Sequence, residues 1–310
     1  SVRNWVRRYP LIAMFAAGLI PNIIYSVLNV AYNVSTIFKT MGLTVDQVLD
    51  EPVVKLVNVF SFGLGIAVIL PLVWPVVRAV TRVHRGCPQP IDRDSRWARR
   101  SLLLGDITAC VSGFEWFVTG LIFPIWASLN APHEHFHTPT VFIHFLVSQL
   151  LCGLMATSMV FFLVSFLATR AYYPTLFQVD VSDPVAIDRI RGLERRTWVY
   201  FAMAVVVPFI ALIAVVGLDS ISKYDTRRDA QMTEHSTGQE GTVLERPQPP
   251  DPSGTGTFVG LGAVGLLNSV AAFVMLRAVQ KAISALSIAV SPPGTVSLGG
   301  TDSATDSFWN

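Results

Sequence analysis

The stretch FIHFLVSQLLCGLMATSMVFFLVSFL, Phe142 to Leu167, decides the fold. It runs for 26 residues without one Asp, Glu, Lys or Arg. About 20 apolar residues, rising 1.5 Å each along a helix, cross the ~30 Å hydrocarbon core of a bilayer. Lipid offers no partner for backbone N–H and C=O groups, so a run of this kind must be helical. This one is long enough to tilt or to project into water.

Five further runs share its character: Leu11–Asn29, Val57–Val77, Ile107–Trp126, Trp198–Leu218 and Phe258–Leu276. Charged residues make up only 14% of the 310 positions, and mean hydropathy is +0.51. A soluble domain carries about 25% charged residues, so a soluble fold is excluded. The sequence predicts an all-α polytopic membrane protein with six transmembrane helices, forming one domain over residues 1–290. Trp5, Tyr9, Trp74, Trp126 and Trp198 fall near span ends, as interfacial aromatics do. Pro21, Pro71, Pro75, Pro124 and Pro208 lie in or near the spans and are expected to kink them.

Orientation follows from Lys and Arg in the connections. The N-terminal segment, the second-to-third and fourth-to-fifth connections and the C-terminal segment together hold 17 of the 23 Lys and Arg residues, against six in the other three connections. Both termini are therefore expected in the cytoplasm. A polar external loop at about 220–257, with Pro247, Pro249, Pro250 and Pro252, and a tail at 291–310 lack the apolar surface needed to offset ordering entropy. Both read as disordered. The chain opens on Ser. Its first nine residues contain Arg3, Arg7 and Arg8 and no small-residue cleavage site, so the first run reads as a retained helix in a piece of a longer protein. Cys87, Cys110 and Cys152 have no metal-type spacing and are expected as free thiols.

Four constellations could carry chemistry. Glu115 falls near the middle of the third span, where an ionised carboxylate costs several kcal/mol unless paired. It reads either as a protonated interhelical hydrogen-bond donor or as a functional carboxylate. Asn22, Ser26, Asn29 and Asn33 share one face of the first span at spacings of four, three and four. Such a stripe glues helices together or lines a ligand pocket, and Gln149 and Asn268 on other spans could answer it. His133, Glu134, His135 and His137 offer imidazole and carboxylate groups suited to Zn or Cu, or to pH sensing, although they do not form a closed four-ligand pattern. The arginines between the second and third spans, among them Arg78, Arg82, Arg85, Arg99 and Arg100, suit anionic lipid head groups as well as ordinary topology. Asp106, at the inner end of the third span, is expected in water or paired with Arg99 or Arg100.

Gly260-Leu-Gly262-Ala-Val-Gly265 matches a dinucleotide fingerprint but lies within a span with no preceding strand. Gly256 and Gly260 allow close helix approach at the outer end of that span. No phosphate-binding loop, hydrolase elbow or kinase catalytic motif is present. Nothing supports catalysis by this chain alone, no cofactor is expected, and no internal repeat of the transporter kind is visible.

The opening Val2-Arg-Asn-Trp-Val-Arg-Arg-Tyr-Pro10, followed by a span, resembles the juxtamembrane segment of bacterial receptor-type Ser/Thr kinases. Arg170-Ala-Tyr-Tyr-Pro174, a charged connector and the fifth span are similar in layout to the six-span region of bacterial class III adenylyl cyclases. Leu276-Arg-Ala-Val-Gln-Lys281 is similar to the start of a HAMP linker, but lacks its proline and runs into Ser291-Pro-Pro-Gly294. The resemblance implies a module of the bacterial inner membrane that anchors, and senses for, a signalling enzyme. The alternative is a small transporter or channel using Glu115. The partners expected are the bilayer, its anionic lipids and a second copy as a homodimer; nucleic acid is not among them.

A reporter fused after Asn310 is expected to read as cytoplasmic, and one inserted within 220–257 as external. A C-terminal fusion active outside the cell would overturn the orientation.

Overall fold

The computed structural model describes residues 2–34, 52–87, 100–130, 139–176, 190–210 and 253–290, with single residues at 46, 50, 97, 188 and 213. Every element in the described residues is helical: α1 (Val2–Arg8), α2 (Pro10–Asn33), α3 (Pro52–His84), α4 (Leu104–Asn130), α5 (Pro139–Leu167), α6 (190–210) and α7 (Ser253–Val290). Among them, Pro10–Asn33, Val54–His84, Phe145–Leu176 and Gly265–Leu286 are long and apolar enough to cross a membrane. The chain is thus a helical membrane protein, and among the described residues four of the six expected spans meet that standard. α4 carries Asp106 and Glu115, and the part of α6 within the described residues opens on Arg191, Glu194, Arg195 and Arg196 and ends at Ile210.

Two boundaries differ from the sequence reading. α7 begins at Ser253, inside the segment expected as loop, because its Gly, Ser and Thr residues are tolerated in a long helix despite their loop-like composition. The remainder of that segment, and the tail at 291–310, lie outside the described residues. At its other end α5 continues through a π-helical turn, Ala168–Tyr172, into a last α turn, Tyr173–Leu176. Helices α2, α3 and α4 run through Pro21, Pro71, Pro75 and Pro124. The Gly260–Gly265 fingerprint sits mid-helix.

α5 is apolar on all sides, as a helix surrounded by others must be. It packs most extensively against α2 and α4 and also meets α7. Glycine makes this closeness possible. A Cβ at Gly105 of α4 would lie 2.1 Å from Ser165 Oγ, and one at Gly153 of α5 would lie 2.7 Å from Trp116 Cβ. Small residues let membrane helices approach until their backbones touch, and dispersion contacts replace the missing hydrophobic drive. Around this centre are Val73, Val76, Val80, Phe161, Phe162, Tyr172 and Leu276, all nearly or fully buried. Phe161 stacks on Tyr200 of α6 at 3.8 Å between ring centroids.

The outer surface also carries many large apolar side chains. Leu56, Val59 and Phe60 on α3, Ile20, Ile24 and Val27 on α2, and Leu266, Leu267 and Val270 on α7 are all exposed. A monomer in water does not carry so continuous an apolar belt, whereas lipid requires one.

One end of the bundle collects the arginines. The Tyr172 hydroxyl donates to the Pro10 carbonyl at 2.6 Å, which holds the start of α2 beside the end of α5. Gly105 against Phe161 and Ser165 brings in the start of α4. Arg196 to Asp106, at 3.1 Å, adds the start of α6. Asp106 is therefore paired, but not with the sequence neighbours expected for it. Arg100 lies over the Trp97 ring instead, and Arg99 is outside the described residues.

Gly153→Val is expected to lower stability by about 1–3 kcal/mol, the range for overpacking a filled core. The Cβ it adds meets Trp116 close to the backbone, where no flexible side-chain end can yield. Thermal unfolding in one fixed detergent checks this.

Candidate functional site

The stripe on α2 is where the helices are joined. The Asn22 side-chain oxygen accepts from Ser112 Oγ at 2.9 Å and from Trp116 Nε1 at 2.7 Å, both on α4, while Asn22 Nδ2 donates to the Gly18 carbonyl. Asn29 Nδ2 donates to Gln149 Oε1 on α5. Gln149 Nε2 in turn donates to Thr119 Oγ1 on α4 at 3.1 Å. Asn33 donates to the Asn29 carbonyl and side-chain oxygens and accepts from Ser148 Oγ of α5 at 3.1 Å. Tyr25, one turn after Asn22, donates its hydroxyl to Asn268 Oδ1 on α7, and Asn268 Nδ2 donates to the Ala204 carbonyl of α6. Asn22, Asn29, Asn33, Gln149 and Asn268 thus all take part in a network of separate hydrogen-bonded sets that tie α2 to α4, α5 and α7, and through α7 to α6. Ser26 is half-buried on the same face and has no side-chain partner among the described residues.

Tyr25, Ser112, Trp116, Thr119 and Ser148 belong to this network but are not flagged by the sequence reading. Their signal is present, although faint. Ser112, Trp116 and Thr119 recur at spacings of four and three on one face of α4, and Tyr25 sits between Asn22 and Asn29 on α2.

Glu115 stands apart. The amides that could have answered it are committed to other partners. Its carboxylate points at α3, where a Cβ on Gly65 would fall 1.7 Å from Oε1. That oxygen is buried and has no hydrogen-bond partner among the described residues. Glu115 also lines a cavity of about 70 Å³ between α2, α3 and α4, whose polar lining is Asn22, Thr108 and Glu115. The Thr108 hydroxyl is already spent on the Leu104 and Gly105 carbonyls.

The remaining candidates lie elsewhere. Arg78 and Arg85 are exposed near the end of α3, with Arg82 half-buried between them, and Arg100 is half-buried before α4. His133, Glu134, His135 and His137 lie outside the described residues. The three cysteines are free, with Cys152 buried and Cys87 and Cys110 exposed. At the foot of α3, Lys55 bonds to Asp50 at 2.8 Å, and its hydrogen bond and charge hold that carboxyl below the ordinary carboxylate range.

No protein family, curated protein or solved structure matches this chain.

A double-mutant cycle on Asn29→Ala and Gln149→Ala, measured by unfolding in mixed micelles, is expected to give a favourable coupling of about 0.5–2 kcal/mol, the range of interhelical hydrogen bonds in membranes. Zero coupling would show that the bond contributes nothing to stability. Glu115→Leu strands no partner and should cost less than Asn22→Leu, which leaves the donors of Ser112 and Trp116 without their shared acceptor.

Proposed function

We propose that the chain is a six-span module of the bacterial inner membrane, both termini cytoplasmic, that anchors a signalling enzyme of the Ser/Thr kinase or cyclase type and senses a ligand for it. The observation that carries this reading is the double role of α2. One face of α2 is bonded to α4 through Asn22, Ser112 and Trp116, and the same stretch lines the cavity beside Glu115. At its N-terminal end α2 is preceded by α1, which packs on α3 and on the π turn after α5. A change of packing at the cavity therefore has a short path through α2 to α1, where an upstream catalytic domain would be attached. Helix shifts of about 1–2 Å are the usual currency of such transmission.

The arginines gathered at the α1 end support placing that end in the cytoplasm. Each basic residue near an anionic surface contributes about 1 kcal/mol, so Arg78, Arg82, Arg85 and Arg100 are proposed to hold anionic lipids. A second copy of the chain is the protein partner proposed.

The unpartnered carboxylate of Glu115 favours a second reading, a transporter whose path passes that residue. The two readings differ in whether water reaches position 115. With Cys87, Cys110 and Cys152 replaced by Ser, Glu115→Cys in intact cells is expected to resist a membrane-impermeant thiol reagent. For the kinase anchor, the gene is expected to continue in frame upstream of Ser1 into a Ser/Thr kinase domain. Rapid labelling of the cysteine, together with a start codon directly before Ser1, would promote the transporter.

A further inference from the structure

The cavity between α2, α3 and α4 has one chemical peculiarity. Its wall is formed by side chains such as Met14, Phe15, Phe62 and Ile69, and no Lys, Arg or His contributes to it. Asn22 and Thr108 have spent the polar atoms that could serve a ligand: Asn22 Oδ1 holds two donors, and the Thr108 hydroxyl is bonded within its own helix. Glu115 is the remaining polar group, with one oxygen buried and unmatched among the described residues. A carboxylate in such surroundings costs several kcal/mol without a counter-charge. The matching ligand is therefore a cation that carries its own apolar surface.

The position of the opening narrows the class. Leu19 and Ile66 line the cavity and are also 40% and 46% exposed on the outer, lipid-facing surface. The cavity thus opens sideways between α2 and α3, toward acyl chains. Its volume, near 70 Å³, is several times the ~10–15 Å³ that a cavity needs to hold one water molecule. That leaves room for an –NH3+ group and the first carbons of a chain, and an –NH3+ group can donate hydrogen bonds to a carboxylate, which a quaternary head cannot. Gly65 completes the fit, since any side chain there would occupy the place of the Glu115 carboxylate.

We infer that this cavity binds a lipophilic primary ammonium, its charged head at Glu115 and its alkyl tail leaving between Leu19 and Ile66 into the bilayer. This names the ligand class for the sensory reading and rests on it, but the site is tested by binding alone. Binding without any change in the output of an attached enzyme would support the site and count against the sensory reading.

The test uses the whole chain in phosphatidylcholine nanodiscs with labelled n-decylamine, and empty nanodiscs as the measure of simple partitioning. Saturable binding near one molecule per chain is expected, with n-decanol a poor competitor. Glu115→Gln keeps the shape and should weaken binding at least about tenfold, as expected when one partner of a desolvated charge pair is removed. Glu115→Asp should keep the preference for amine over alcohol. Gly65→Ala, which displaces the carboxylate and leaves its charge in place, should weaken binding as well and serves if the Gln variant does not fold. Binding no greater than to empty nanodiscs, equal affinity in Glu115→Gln, or decanol competing as well as the amine would each overturn the assignment.

Discussion

An amide side chain in hydrocarbon can bond only to other parts of the protein, and the arrangement around α2 follows from that restriction. Asn22, Asn29 and Asn33 bring several donors and acceptors into a region that offers no water. Each unmatched group would cost free energy of the order of a lost hydrogen bond or more. The groups find their matches on α4 and α5, Tyr25 beside them reaches α7, and these bonds fix how the three helices are rotated about their axes. Asn22 sets α4 by holding Ser112 and Trp116. Asn29 and Asn33 set α5 through Gln149 and Ser148. Tyr25 sets α7 through Asn268. Apolar contacts against lipid-like neighbours discriminate poorly between rotations, so these few bonds supply the specificity.

Packing supplies the closeness. At Gly105 and Gly153 the contact between α4 and α5 is near enough that a methyl group would not fit. That proximity brings Gln149 within reach of both Asn29 and Thr119. The polar network and the glycine contacts depend on each other: the bonds set the rotation, and the glycines set the distance.

Much of this was legible in the sequence. The long apolar runs gave the helical class and the membrane setting, and the spacing of Asn22, Asn29 and Asn33 marked the face of α2 that joins other helices. Gln149 was recognisable as a partner of the stripe because amides are rare within spans, whereas Asn268, singled out on the same ground, meets Tyr25 and no residue of the stripe. Ser112, Thr119 and Ser148 were not, because single hydroxyls are common in membrane helices and usually bond back to their own backbone, as Thr108 does here. Asp106 and Arg196 stand 90 positions apart, and only the tertiary arrangement of α4 and α6 joins them. The start of α7 at Ser253 was hidden by a composition that resembles loop. Glu115 could be recognised as out of place, but its orientation toward Gly65 depends on how α3 leans on α4, which no local pattern encodes.

α3 is the least enclosed of the helices that meet the spanning standard, with 11% of its most apolar window buried, against 61% for the segment built on α5. It is also 33 residues long, about 50 Å at 1.5 Å per residue, against a hydrocarbon core of about 30 Å. Its uncharged run, Leu56 to Val77, spans about 33 Å, so the charged ends project beyond the core, and the tilt that remains depends on the thickness of the surrounding bilayer. Gly65 rides on that helix, directly opposite Glu115. Bilayer thickness therefore has mechanical leverage on the carboxylate's surroundings, and a thinner membrane would lean α3 further across the bundle.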